Sequence, residues 1–198
     1  MLASLLFGLL ITACNNPNTS TTESEEITTP ESPQSMPTEN EQPKAVILKA
    51  NGINGISSGD QIATLTDQGI LKKGELKTGE GDFEIWNIMD KNLGKIGYVL
   101  EHPQLEGQVG QIHITSDAVK TENGLGVGST WADIRAAYPS AQVFGSEIEG
   151  ITAAVVGAYH FQLDIRNWSY EVDEAKIEPD TKVTEIWLPH RVENNDLN

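Results

Sequence analysis

The sequence predicts an α+β domain, a mostly antiparallel sheet with two short helices, and three observations carry that prediction. Short β-prone segments with alternating apolar and polar residues follow one another through residues 70–115 and again through 148–188. Two glycine turns each lead into a capped amphipathic helix, at residues 58–68 and 128–138. These junctions share one register: Gly52, Ile53, Ser57, Ser58 and Ile62 precede Gly124, Leu125, Ser129, Thr130 and Ile134 by the same offset at every position. The strand series end alike, in Val109-x-x-Ile112-x-Ile114 and Val183-x-x-Ile186-x-Leu188, at nearly that offset. The spacing fits a diverged tandem repeat of a helix and about four strands, residues 52–115 and 124–188; two unrelated strand–helix junctions of similar composition fit it equally well.

In chain order, residues 2–13 form an apolar run of twelve, the length of a signal-peptide core and short of the roughly 20 residues of a membrane-spanning helix. Met1–Ser4 lacks the Lys or Arg of a usual signal n-region, which a start a few residues upstream accounts for. The run ends Ile11-Thr12-Ala13-Cys14, at the single cysteine. Residues 15–43 hold six Glu, no Lys or Arg, and only Ile27 and Met36 as sizeable apolar residues, a composition expected to stay disordered. As a coil that segment spans roughly 30 Å.

The folded part is expected to begin near Lys44 and run to the C-terminus as one domain, 44–198. Residues 45–50 and 52–56 read as β-prone runs. Ser58 and Gln61 have capping-box spacing, which predicts a helix over 59–68 with Gly69 as its stop. Strands follow at 70–78, 83–89, 95–101 and 109–115, with a hairpin loop at Asp90-Lys91-Asn92. In the second half, Leu125 and Val127 read as a short strand. Thr130 and Asp133 form a capping box, Trp131, Ile134 and Tyr138 an apolar stripe, and Pro139 a stop. Strands are predicted at 148–156, 159–165 and 182–188, around an acidic loop at 167–181; Trp131 and Trp187 read as core.

Charge bounds the partners. With 29 acidic and 13 basic residues the formal charge is −16, which disfavours nucleic acid and anionic lipid as partners of the domain surface. No cofactor motif is present: the glycine turn at 124–128 lacks a P-loop Lys, and Asp133 already complements the helix dipole there. His102, His113, His160 and His190 show no HExxH spacing, and no Gly-x-Ser-x-Gly or Ser-x-x-Lys motif occurs. His113 and His160 alternate with apolar residues and fall on the solvated faces of their strands. With Glu185 or Asp164 they are the residues from which a metal or general-base site would be built. The binding candidates are Trp168 and Tyr170, in the acidic loop beside Arg166: aromatic anchors with an Arg suit a protein interface, and an indole covering one end of the core is the structural alternative.

The Ile-Thr-Ala-Cys end of the apolar run resembles the lipobox of bacterial lipoproteins. The resemblance implies cleavage before Cys14, two acyl chains on that residue, and anchoring in a membrane. Asn15, in place of the Asp that retains lipoproteins at the inner membrane, implies the outer membrane, facing the periplasm, in a cell that has one, and the cell membrane in a Gram-positive cell. With the 52–56 start, the 124–139 strand-turn-helix, the YHFQLDI strand followed by Trp168 and the terminal KVTEIWL, the lipobox resembles a family of envelope-stress (sigma-E) regulated lipoproteins of unknown function. That resemblance brings no catalytic residues. More loosely, the helix-plus-four-strand units are similar to the modules of β-lactamase inhibitor proteins and small outer-membrane assembly lipoproteins, implying a protein-binding sheet face. The expected function is a protein-binding or envelope-maintenance module with an envelope protein as partner; the enzymatic alternative is a metal-dependent or carboxylate hydrolase acting on envelope material.

Overall fold

The computed structural model describes residues 46–79 and 81–190; the signal, Cys14 and the 15–43 segment lie outside them. In chain order the elements are β1 (Val46–Leu48), α1 (Ile62–Asp67), β2 (Leu71–Thr78), β3 (Gly81–Asp90), β4 (Gly94–Glu101), β5 (Val109–Ile114), β6 (Val119–Thr121), α2 (Trp131–Ala137), β7 (Gln142–Gly145), β8 (Ile151–Val156), β9 (Tyr159–Arg166) and β10 (Val183–Leu188). A short strand, a helix and four longer strands thus occur twice in the same order. Each unit begins one strand earlier than the predicted repeat bounds.

The eight long strands form one antiparallel sheet in the order β2-β3-β4-β5-β10-β9-β8-β7. Each half is a meander, and the last strands of the two meanders meet at the centre. Their register joins the two matching strand ends seen in sequence: His113 lies opposite Trp187, with Ile112 opposite Leu188 and Ile114 opposite Ile186. The short strands that open the halves also pair with each other, in parallel, Val46 with Val119 and Leu48 with Thr121.

Strand alternation gives the sheet two faces. Leu71, Ile88, Val99, Ile112, Ile114, Ile186, Leu188, Phe161, Leu163 and Ala154 share one apolar cluster with Ile62 and Leu65 of α1 and Trp131 and Ile134 of α2. Burying each large side chain in this layer stabilises the fold by about 1.5–3 kcal/mol before entropy is charged against it. The second face holds Asn87, Tyr98, His113, Glu185, Trp187, His160 and Gln162, together with Ile85 and Ala153, which are buried but lie outside that cluster.

Several local features follow the predictions. The Thr130–Asp133 capping box is formed in both directions, and the helix ends before Pro139. Asp90 holds the β3–β4 turn by accepting from the amides of Asn92 and Leu93 at 2.8 and 3.1 Å. Gly69, at φ +72°, closes α1.

Others differ, for identifiable reasons. No capping box starts α1, which begins at Ile62 rather than near Gly59. The Ser58 hydroxyl instead donates to the Val109 carbonyl, Asp60 accepts from the Ser57 amide, and the Gly107 carbonyl takes the first helical amide. Residues 52–56 form tight turns with two isolated bridges rather than a strand. Leu125 and Val127 lie outside any strand; the β structure there is β6, a few residues upstream, with the Thr121 amide donating to the Leu125 carbonyl. Strand β7 has no counterpart among the predicted strands. Trp187 is half-buried on the second face, because a bulge between Val183 and Glu185 puts Val183, Ile186 and Leu188 on the core side and leaves Trp187 between two inward residues.

Candidate functional site

The second face has a chemical centre. Tyr98, His113, Trp187 and His160 stand at directly opposed positions of β4, β5, β10 and β9. Their rings run in a row: Tyr98 and His113 stack at 4.6 Å and 9°, His113 and Trp187 lie 6.2 Å apart at 16°, and Trp187 and His160 lie 5.1 Å apart at 35°. The Glu185 carboxylate anchors the row, accepting from the Tyr98 hydroxyl at 3.2 Å and hydrogen-bonding with His113 Nδ1. His113 Nε2 lies 3.0 Å from the Gln111 side-chain carbonyl oxygen. Burial, reinforced by the Glu185 charge and hydrogen bond, pushes the Tyr98 phenol well above its ordinary pKa. Burial alone lowers the pKa of His160.

This arrangement corrects two expectations. His113 is buried, at 9 % exposure, rather than solvated, because the neighbouring rings close over it. It and His160 do not converge on one point: β10 runs between their strands, and the Trp187 indole stands between the two imidazoles. Glu185 joins His113 as anticipated, whereas Asp164 lies exposed further along β9. Both ring nitrogens of His113 are engaged, and no group of three or more His, Cys, Asp or Glu placed to hold a metal occurs among the described residues. The chemistry of the row is cohesive: one carboxylate ties three strands together across the junction of the two halves.

The exposed groups lie at an edge of the sheet. Seven large hydrophobic residues are exposed among the described residues, and four of them, Phe144, Ile148, Trp168 and Tyr170, belong to β7, the turn that follows it and the loop after β9. Hydrogen bonds hold the two segments against each other. The Asn167 amide donates to the Gly150 carbonyl at 3.1 Å, the Gly145 amide to the Tyr170 carbonyl at 3.2 Å, and Arg166 Nη1 to the Glu149 carbonyl at 3.0 Å. The Asn167 side-chain amide donates to the Ser169 and Glu171 carbonyls, at 2.8 and 3.2 Å. Gly150, at φ +65°, forms the floor beneath Trp168: a Cβ there would come within 2.8 Å of the indole. One side of the ring is therefore seated, yet Trp168 remains 64 % exposed and Tyr170 61 %.

Arg166, Trp168 and Tyr170 are thus together, as the sequence suggested, but Arg166 is engaged with backbone. Phe144 and Ile148 are exposed on the segment that the same hydrogen bonds join to the loop after β9. Their signal in the sequence is weak: Phe144 lies in a four-residue strand with no alternation long enough to read, and Ile148 sits alone between two glutamates.

No protein-family model matches the sequence, and no curated protein matches it. Among solved structures the chain is similar to the crystal structure of the uncharacterized protein yfeY from Escherichia coli, at 12 % identity and a TM-score of 0.46, over 73 % of this chain and 99 % of that one.

Proposed function

We propose that the protein is a lipid-anchored binding module of the bacterial cell envelope. In this reading Cys14 carries the acyl anchor, residues 15–43 act as spacer, and the domain faces the periplasm from the outer membrane, presenting Phe144, Ile148, Trp168 and Tyr170 to an envelope protein. The single observation that supports it best is the exposure of those four residues on segments whose backbone is held by hydrogen bonds. Large apolar side chains on an ordered backbone need no loop ordering on binding, and aromatic residues dominate the energetics of protein interfaces.

Crosslinking of the native lipidated protein in living cells tests the reading. The expected result is specific capture of an envelope protein, lost in Trp168→Ala while folded protein persists. A large stability loss with unchanged capture would mean that Trp168 serves the core instead. Cys14→Ala is expected to move the protein from the membrane to the soluble fraction; retention in the membrane would refute the anchor.

A further inference from the structure

The chemistry of the partner can be narrowed from the charge around the aromatic cluster. Residues 144–174 carry six carboxylates, Glu147, Glu149, Asp164, Glu171, Asp173 and Glu174, against one cationic side chain, Arg166. Asp173 is paired with Lys176 and Glu174 with Arg135, at 3.2 and 3.3 Å. Among the described residues no cation lies within ion-pair distance of Glu147, Glu149, Asp164 or Glu171. Arg166, the one cation inside the cluster, spends its guanidinium on the Glu149 carbonyl and offsets none of these carboxylates at contact range.

The exposed apolar residues are interleaved with this unpaired charge. Ile148 stands between Glu147 and Glu149, and Tyr170 is followed by Glu171. An anionic or neutral partner that buried the aromatic groups would have to bring its surface against these carboxylates uncompensated, which costs energy for every charge desolvated. An anionic lipid surface meets the same repulsion. A polypeptide presenting Lys or Arg beside an apolar anchor satisfies both features together.

Strand addition is disfavoured as the mode of docking. The free edge of β7 is capped at both ends, the Ala141 carbonyl by Arg135 Nη1 at 3.3 Å and the Gly145 amide by Tyr170 at 3.2 Å. Recognition therefore falls to side chains.

Resting on the binding reading above, we infer that the Phe144–Ile148–Trp168–Tyr170 surface takes a basic segment of another polypeptide, its apolar residue against Trp168 and its cations against Glu147, Glu149 and Glu171.

The test uses the full chain and two labelled peptides of equal length and apolar content, one with Lys and the other with Glu at its charged positions, followed by fluorescence anisotropy. The Lys peptide is expected to bind at least about tenfold more tightly than the Glu peptide, with an advantage that shrinks as salt is raised. The triple change Glu147→Gln, Glu149→Gln, Glu171→Gln should remove most of that advantage, and Trp168→Ala should weaken the Lys peptide at every salt concentration. Circular dichroism confirms that each variant is folded. Gly79→Ala, which meets nothing within 4 Å, is the control expected to bind as the parent does. Equal affinity for the two peptides, or an unchanged Lys peptide in the triple variant, overturns the inference. Binding to phosphatidylcholine vesicles through Trp168 with neither peptide bound also overturns it, in favour of a membrane surface. If these tests fail while Trp168-dependent capture of an envelope protein persists in cells, the binding reading stands and only the basic partner is wrong; loss of both refutes both.

Discussion

Thr152 is fully buried in β8, opposite Leu163, and its hydroxyl has no hydrogen-bond partner among the described residues. A buried hydroxyl without a partner costs on the order of 1–3 kcal/mol, and Val offers nearly the same shape without the polar atom. Thr152→Val is therefore expected to stabilise the domain by about 1 kcal/mol, read as a higher denaturant midpoint at unchanged slope. An unchanged or lower midpoint would show that the hydroxyl is satisfied. His160 makes the residue-scale prediction for pH. Burial holds its folded pKa below the ordinary 6.5, so between those two values the unfolded chain binds more protons than the folded one. Its contribution to stability is complete above the unfolded value, declines as pH falls toward the folded value, and is constant below that. Acidification from about pH 7 to about pH 5 should lower the melting temperature less in His160→Gln than in the parent; identical declines would remove His160 as the cause. Asp133 acts further down the scale. Its capping bonds with Thr130 lower its pKa from 3.8, so its stabilisation is present above that value and is lost as pH falls through the folded one.

Among the elements, β10 holds the central place, since its Glu185 takes hydrogen bonds from both β4 and β5. Tyr98→Phe and Glu185→Ala should each destabilise the domain. Because each removes one partner of the bond that the Tyr98 hydroxyl donates to the Glu185 carboxylate, a double-mutant cycle should give a coupling of about 1–2 kcal/mol. A coupling near zero would mean that the Tyr98–Glu185 bond is not formed in solution. The same strand marks the limit of what the sequence could tell. The alternation in GQIHI places His113 off the core correctly, yet its burial depends on Tyr98 and Trp187, which reach it through strand pairings with positions distant in the chain. Trp187 is misplaced by pattern alone because a bulge changes strand phase without changing composition. The box at Thr130 is legible and that at Ser58 misleading for a related reason. Thr130 and Asp133 satisfy each other locally, whereas the Ser58 hydroxyl has a longer-range acceptor in Val109. Of the candidate site, Trp168 and Tyr170 stand out by residue type in an acidic loop; Phe144 and Ile148 join them only once β7 and its turn are folded against that loop.

At the scale of the whole molecule, the two halves have the same order of elements but no separate cores. Leu65, Ile88 and Ile112 from the first half share one apolar cluster with Ile134, Phe161 and Ile186 from the second, and both β1–β6 and β5–β10 pair across the division. Neither half can bury its helix-side face alone, so the domain should unfold in one cooperative step although its sequence reads as two units. The connection between halves offers a direct test, because Asp117 is exposed and lies between β5 and β6. A protease site inserted at Asp117 and then cut should leave the fragments co-eluting in native buffer and separating in denaturant. The nicked domain should show one transition at a lower midpoint, since cutting the link gives the unfolded chains additional freedom. Two transitions, or fragments that part in native buffer while each stays folded, would show that the halves are independent modules lying side by side, and the Tyr98–His113–Trp187–His160 row would then be an interface between domains rather than the middle of one sheet.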